Sequence, residues 1–426
     1  MSDPITVVTH TGLGERLKSS CTGIIFGIIL FLGSFPLLFW NEQRAVARYD
    51  ALREGEEQTI SLPNATVIDS ANEGKLVHFT AFTYKESDSL TDPVFGISCS
   101  DCLALQRHSE MYQWRENSST ETKKELGGGE TTTTTYTYDL TWSESLISSS
   151  SFQDQSSRYR NPTSFDYPSN DIIADPIMAG AYDLPSNIVS WLVSDEDPIQ
   201  NLQVTDITNT ALQSQVVSTS STPGDGYFIG SGSPSSPVVG DERIWFSSTP
   251  PTTISVVAVQ TGNTLTAFVS ESGKGGNVLL YGRGTYTAAE LFDIAEQQNL
   301  ILTWVIRFAG FAVMALGNIL IWNPFKVAAD IIPCVGSLVG CGINFISITL
   351  AAVLSSITIS IAWLIAHPKI GAIVLGVSLV VIGLCAFGVK MILDRRKKDD
   401  DDDDVVMVEA MEVGEGKKFS DVEEYE

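Results

Sequence analysis

Three stretches of this chain are too long and too apolar to belong to an ordinary water-soluble domain. They cover residues 21–40, residues 300–322 and most of residues 327–393. A helix of about twenty apolar residues crosses the hydrocarbon core of a bilayer. The sequence therefore predicts a membrane protein whose polar residues are concentrated between positions 41 and 299.

The first apolar stretch has two interpretations. Arg16 and Lys18 precede it, as basic residues precede the apolar centre of a signal peptide. That centre is about 7–15 residues long, whereas this stretch has nearly twenty, which favours a retained helix. The sequence AVA at residues 45–47 resembles a cleavage site, so a cleaved peptide stays the alternative.

The C-terminal part predicts three further spans. Arg307 lies near the start of the second apolar stretch, where its side chain can reach the membrane interface. The sequence HPK at residues 367–369 indicates a turn between two helices. Residues 327–341 contain Asp330, Pro333 and two glycines and are expected to form an interfacial or re-entrant segment. The expected membrane helices cover residues 22–40, 300–322, 342–366 and 370–393.

Basic residues predict the orientation. The sequence RRKK at residues 395–398 follows the last span, and basic clusters stay on the cytoplasmic side. Arg16 and Lys18 place residues 1–21 on the same cytoplasmic or nucleoplasmic side. Both termini on one side require an even number of crossings, and four fits. Residues 41–299 then face the lumen.

The lumenal region is expected to be rich in strands. The β-branched and aromatic sequence TTTTTYTYDLTW covers residues 131–142. Residues 254–270 predict a hairpin that turns at Gly262 and Asn263, and Thr287 with Glu290 predicts a helix N-terminus. Residues 218–237, rich in Ser, Gly and Pro, are expected to lack regular structure. The predicted fold class is an α+β membrane protein with four transmembrane helices, one N-terminal and three C-terminal, and a large β-rich lumenal domain.

Charge excludes one class of partner. Residues 41–302 carry 34 acidic and 14 basic residues, a net charge of −20. Nucleic-acid binding needs Lys and Arg against phosphates, so no nucleic-acid partner is expected. Residues 394–426 are also acidic, with six consecutive aspartates at 399–404. Such a run predicts a disordered tail; an arm for basic partners and weak Ca²⁺ binding are the alternatives.

Few residues have a pattern typical of catalysis. Cys99 and Cys102 form a CxxC motif, which predicts a local disulfide or two free thiols, with a metal site or a redox site as alternatives. His78 and His108 are the only histidines of the lumenal region, and no serine has the surroundings of a nucleophile elbow. We expect no catalytic residue, no cofactor and no metal site. A lumenal enzyme of the hydrolase type and a membrane channel or transport component stay the alternatives.

Two sequons support a lumenal position. Asn64 and Asn117 each begin an N-x-[ST] tripeptide, the acceptor pattern for N-glycosylation. Such tripeptides also occur by chance in a region this rich in Ser and Thr. They are therefore candidate glycosylation sites.

Several separate motifs resemble one family. LFWNEQRA at residues 38–45 contains Asn41, Glu42 and Arg44, with Gln43 where the family pattern usually has glycine. RHSEMYQW at residues 107–114 is the most specific and contains Glu110, Tyr112 and Trp114. Further matches are NEGKLVH at 72–78, the aromatic strand at 136–142, NP at 161–162 and VGDER at 239–243. The sequence resembles the LUMA (transmembrane-protein-43) family over residues 22–325.

The resemblance implies a function that the composition does not. Members of this family are four-span proteins of the inner nuclear membrane and endoplasmic reticulum. The resemblance implies a non-enzymatic scaffold that self-associates through its membrane helices and maintains nuclear envelope structure. Partners similar to emerin and lamins are implied in the same way, beside the lipid bilayer and a homo-oligomer.

Overall fold

The computed structural model describes residues 4–195, 197–200, 202–220, 222 and 224–366, together with five single helical positions between 372 and 383. The predicted turn at 367–369 and the predicted tail at 394–426 lie outside the described residues. So does the predicted span at 370–393, apart from those five positions.

Of the five α-helices in the part of the chain that the structure describes, three are long and apolar enough to cross a membrane. The helices are α1 (Leu13–Gln58), α2 (Ser186–Leu192), α3 (Thr210–Gln213), α4 (Ala288–Ala329) and α5 (Pro333–Ala366). The membrane-spanning candidates are α1, α4 and α5. Each of these helices is longer than the predicted span, because α1 and α4 continue into the polar region and α5 begins earlier than expected.

The strands are short except in one hairpin. They are β1 (Ile5–Thr11), β2 (Ile60–Ser61), β3 (Leu76–Lys85), β4 (Leu90–Thr91), β5 (Ser98–Cys99), β6 (Ala104–Lys124), β7 (Glu130–Ser143), β8 (Asn170–Ile173), β9 (Ile177–Ala179), β10 (Tyr182–Asp183), β11 (Asp197–Pro198), β12 (Val216–Thr219), β13 (Gly226–Ile229), β14 (Glu242–Thr249), β15 (Thr253–Thr261), β16 (Thr264–Thr266), β17 (Phe268–Val269), β18 (Asn277–Val278) and β19 (Leu280–Arg283). The β-rich domain predicted from the sequence is therefore present.

The first sheet is antiparallel and has eight strands. Its order is β1-β7-β6-β14-β13-β12, with β8 on β6 and β11 on β14. The long hairpin of β6 and β7 turns through Gly127 and Gly128, both at positive φ, a conformation that glycine adopts without steric cost.

The second sheet contains a ring of five strands. Its order is β19-β15-β16-β10-β9-β3-β2, and β15 also pairs with β3, which closes the ring. Gly262, at φ 60°, makes the turn between β15 and β16, so the predicted hairpin at this position is confirmed. Along β15, Ile254 and Val256 face the main core, whereas Val257 faces a second cluster, as the two-residue period of a strand requires.

Two apolar clusters hold this domain together. The main core takes side chains from both sheets, and in it the Phe79 ring stacks on the Tyr182 ring at 4.7 Å. The second cluster packs Leu52 of α1 and Phe292 of α4 against Val257 of β15. The polar ends of both membrane helices are thereby part of the folded domain.

Small residues let the membrane helices pack closely. A Cβ on Gly317 of α4 would lie 2.6 Å from the backbone nitrogen of Phe31 on α1, and a Cβ on Gly310 would lie 2.5 Å from Leu38 Cδ2. Leu38, Met314 and Ala351 form the buried centre of this bundle. Small residues at such crossings are typical of helices packed in lipid.

One sequence expectation differs from the structure, and two other segments have a form that the sequence did not specify. Residues 327–341 form the end of α4, a short turn and the start of α5, because the glycines there do not interrupt the helical hydrogen bonds. Residues 218–237 include the end of β12 and all of β13, which gain regular structure by pairing in the sheet. Residues 5–11, which belong to the N-terminal stretch expected on the cytoplasmic or nucleoplasmic side, form β1 and pair with β7.

The pairing of β1 bears on the predicted topology. A membrane crossing over residues 22–40 would put β1 and β7 on opposite sides of the bilayer. A polar ribbon with open edges cannot lie within hydrocarbon. The β1–β7 pairing and that crossing therefore exclude each other in one molecule, and the side on which residues 1–21 lie stays a prediction.

Candidate functional site: a buried ion pair between three membrane helices

A buried carboxylate joins two of the membrane helices. Glu42 of α1 has no exposed side-chain area, and Arg307 of α4 is 16% exposed. Arg307 Nε donates to Glu42 Oε1 at 2.7 Å, and its Nη2 donates to Oε2 at 2.7 Å. Two parallel bonds of this kind are the strongest pairing that arginine makes with a carboxylate.

The third helix completes the site. Trp363 of α5 donates its indole N–H to Glu42 Oε2 at 2.7 Å. The neighbouring Gln43 donates from Nε2 to the backbone oxygen of Ala362 at 3.1 Å. Residues 42 and 43 of α1 thus bind both other helices. A lone buried charge costs several kcal/mol, and here it is compensated by a cation and a neutral donor.

The pairing gives Arg307 a partner that the sequence analysis did not predict. If Trp40 and Leu300 marked the same interface, Glu42 would lie about 3 Å outside it and Arg307 about 10 Å inside it. The side chains or a tilt of the helices must cover that difference, and the two boundaries stay predictions. The sequence contained a signal for this pair. Glu42 and Arg307 are oppositely charged and lie near adjacent ends of two helices that are predicted to be antiparallel.

Within the large domain, α1 and α4 also share polar contacts. Arg44 Nη2 donates to Thr303 Oγ1 at 3.0 Å, and Asn299 Nδ2 donates to the backbone oxygen of Ala45 at 2.9 Å. The motif residue Asn41 is buried as well. The motif that includes Asn41, Glu42 and Arg44 therefore provides helix-to-helix contacts.

The second group of motif residues lies on the eight-stranded sheet. Glu110 of β6 accepts a hydrogen bond of 2.5 Å from Arg243 Nε of β14. The two residues are directly opposite each other in the strand register. The Arg243 guanidinium lies 4.7 Å from the centre of the Trp142 ring, and Tyr112 contacts that ring at 5.1 Å. These half-buried side chains stabilise the pairing of neighbouring strands.

Trp114 is fixed by a loop. Asn161 accepts from its backbone N–H and donates to its backbone oxygen, both at 2.8 Å. The Trp114 ring meets the edge of Tyr159 at 4.9 Å. Trp114 is therefore half-buried against the loop that follows β7, and NP at 161–162 is the segment that holds it.

His78 on β3 and His108 on β6 lie in different sheets and have different hydrogen-bond partners. His78 Nε2 lies 2.9 Å from the backbone oxygen of Tyr286. His108 Nε2 lies 2.7 Å from Ser247 Oγ, and its ring stacks on Trp245 at 5.1 Å. Ser247 is buried, so substrate has no open approach to this hydroxyl, and the contact resembles a structural hydrogen bond between strands.

The remaining sequence candidates lie elsewhere in the large domain. Cys99 and Cys102 are joined by a disulfide with Cα atoms 6.0 Å apart, beside the short β4–β5 hairpin. Asn64 lies in an exposed loop, whereas Asn117 is exposed within β6 and donates to Asp139. Within the described residues no three His, Cys, Asp or Glu side chains are grouped to hold a metal ion.

Comparison with known proteins gives one consistent result. The family model for Transmembrane protein 43 matches residues 111–368, more than half of the chain. Transmembrane protein 43 of Pongo abelii is 30% identical over 87% of this chain and 91% of its own length. The human protein of that name is 29% identical over the same shares, and the Drosophila melanogaster homolog is 26% identical over 85% of this chain and 94% of its own. No solved structure matches. The chain belongs to the Transmembrane protein 43 family.

Proposed function

We propose that this protein is a non-enzymatic membrane scaffold. In this proposal it organises protein complexes and maintains the structure of the inner nuclear membrane and the endoplasmic reticulum, and it self-associates through its membrane helices. The observation that carries the proposal is the Glu42 site. Both carboxylate oxygens accept hydrogen bonds from residues of the other two helices, so the site supports a role in holding the helices together.

The helices also offer apolar surface to lipid or to a second copy. Phe308 of α4 is 71% exposed, and Phe345 and Ile346 of α5 are 67% and 62% exposed. Large apolar side chains that are exposed together on one surface mark membrane or protein contacts. They support anchoring and self-association, with the two-sheet domain as the part that binds envelope proteins.

Two experiments test the scaffold role. A C-terminally tagged protein is imaged after digitonin and then after full detergent, and two differently tagged copies are co-expressed and co-purified. We expect signal at the nuclear rim and in the reticulum, with recovery of one tag through the other. A signal confined to the plasma membrane, or recovery of single copies alone, contradicts the proposal.

One observation favours a second candidate, a membrane transport component. Ionisable groups inside membrane helices often mark ion pathways, and Glu42 with Arg307 is such a pair. Ion flux into proteoliposomes distinguishes the two roles. Transport requires flux in the wild type and its loss in Glu42→Gln with assembly intact, whereas the scaffold role predicts no flux in either.

A further inference from the structure

The large domain has a small cavity beside the polar ends of α1 and α4. Its volume is about 300 Å³, at the lower end of the range for ligand sites. One wall is a single face of α4 formed by Leu291, Ile294, Ala295 and Gln298. Most of the remaining lining residues are apolar in type and come from the β18–β19 segment and α2, although polar atoms make up more of the cavity wall than apolar atoms. The cavity therefore suits a small amphiphilic group.

Arg48 of α1 provides the cavity's only cation among the residues that line it. Its Nη1 donates to the backbone oxygens of Asn277 at 2.7 Å and Gly275 at 3.4 Å. No carboxylate pairs with it in the part of the chain that the structure describes. Burial, and then the charge of Arg44, lower the pKa of Arg48. An anion that binds a half-buried guanidinium without a counter-charge gains both charge attraction and charge-assisted hydrogen bonds.

The opposite wall is rigid. The Trp191 ring packs against Tyr281 at 4.8 Å, and the Arg283 guanidinium lies 5.4 Å from the centre of the Trp191 ring. Arg283 is itself fixed by Asp195 at 3.0 Å. The charge of Arg283 is thus already paired, and Arg48 is the group left for a ligand.

The cavity lies only a few residues along both helices from the predicted membrane spans. Arg48 follows Glu42 by six residues, which is about 9 Å along a helix. Gln298 precedes the apolar stretch that begins at residue 300 by two residues. The headgroup region of a bilayer adds several Å to each side of the hydrocarbon core. A cavity at this height is within reach of phospholipid headgroups.

We propose that this cavity binds the headgroup of an anionic membrane phospholipid. The phosphodiester contacts Arg48, and the adjoining glycerol portion packs on Ile294 and Trp191. The apolar side chains on the α4 wall and the nearness of the apolar helix segments favour a lipid over free phosphate, since inorganic phosphate has no apolar part to bury.

Lipid binding to the purified full chain tests this assignment. The protein in detergent is stripped of lipid and titrated with phosphatidylglycerol, with phosphatidylcholine as the zwitterionic comparison, and bound lipid is counted by native mass spectrometry. We expect one phosphatidylglycerol held more tightly than phosphatidylcholine. Arg48→Gln should weaken it at least about tenfold, the effect of a lost charge-assisted bond. Arg53→Gln is the matched control, because Arg53 is exposed on the same helix and pairs with Glu57.

A second variant addresses the apolar wall and does not depend on Arg48. Ile294 is 39% exposed at the rim, so Ile294→Asp is tolerated by the fold but repels an anionic lipid. Gln297→Asp adds the same charge on the same helix outside the cavity and should leave binding unchanged. Wild-type binding by Arg48→Gln or by Ile294→Asp overturns the proposal. Displacement of the lipid by equimolar inorganic phosphate assigns the site to free phosphate instead.

Discussion

Glu42 is a fully buried carboxylate whose charge is compensated by Arg307 of another helix. Removing one member of a buried ion pair leaves a charge without compensation, which costs about 3–5 kcal/mol. We expect Glu42→Gln and Arg307→Gln each to lower the free energy of unfolding by about that amount. Thermal unfolding in detergent measures it, with Glu57→Gln in an exposed pair on α1 as control.

The double variant separates a pair from two independent sites. Glu42→Gln with Arg307→Gln should cost clearly less than the sum of the single changes, because no lone charge remains. Additive losses would mean that the two side chains do not act on each other.

A buried carboxylate in the large domain gives a pH dependence. Burial raises the pKa of Glu242, although the backbone N–H groups of Asp166 and Tyr167 partly oppose this. The native state therefore keeps its proton to a higher pH than the unfolded chain. The resulting stabilisation is full below the unfolded value near 4.5 and is lost as pH rises through the native pKa.

Comparison with Glu242→Gln isolates this effect. We expect the difference in Tm, wild type minus variant, to decrease as pH rises from 4 to 7. A difference that is constant across that range, or that grows, would show that Glu242 is not held in its acid form by burial.

At this scale the sequence predicts residue types better than partners. Asn41, Glu42 and Arg44 were recognised as a motif, and Arg307 as an unusual charge in an apolar stretch. The contact between Glu42 and Arg307 depends on the axial position of α4 relative to α1. The close approach at Gly310 and Gly317 sets that position. That register is a property of packed helices and has no local pattern in the chain.

Elements with local determinants were predicted, and elements that depend on distant partners were not. Thr287 accepts from Glu290 N while the Glu290 side chain accepts from Thr287 N, the capping box expected from the sequence. In contrast, β12 and β13 lie in a segment rich in Ser, Gly and Pro and become strands only by pairing in the sheet.

The cap of α4 is a test at the scale of elements. Thr287→Ala should lower the free energy of unfolding by about 1 kcal/mol, because the first turn loses an acceptor. Thr287→Ser keeps the hydroxyl and should retain most of the stability. The comparison uses Tm in detergent, and equal losses in both variants would show that packing, not the hydroxyl, is what Thr287 contributes.

The position of β1 is the second test among elements. His10 Nδ1 lies 2.8 Å from Thr131 Oγ1 across the β1–β7 pair. If α1 crosses the membrane, His10→Cys with Thr131→Cys should give no cross-link in membranes. Thr120→Cys with Thr134→Cys, facing residues of the β6–β7 hairpin, is the positive control. A disulfide between positions 10 and 131 in membranes would place β1 and β7 on one side and contradict a crossing by residues 22–40.

For the whole molecule, glycosylation of the two sequons tests which side of the membrane holds the two-sheet domain. The two asparagines differ in how accessible their side-chain nitrogens are. Asn64 lies in an exposed loop, where its Oδ1 accepts from Thr66 N at 2.8 Å and its Nδ2 is available. Asn117 lies in a paired strand, and its Nδ2, the atom that would carry the glycan, donates to Asp139. If the domain is lumenal, we expect a glycosidase-sensitive shift that Asn64→Gln abolishes and Asn117→Gln leaves nearly unchanged.

Protease treatment of sealed microsomes from the same cells then fixes the number of crossings. A tag after residue 426 should be digested while the glycosylated domain stays protected, because four crossings leave the tail outside and residues 41–299 inside. The prediction has three crossings between the domain and the tail. A protected tag with the same glycan shift would mean that this number is even, so that the tail lies in the lumen with the domain. That outcome would place RRKK at 395–398 in the lumen and remove the basic cluster as the determinant of orientation. The same two readouts, taken together with the cysteine pair at positions 10 and 131, determine whether residues 22–40 cross the membrane.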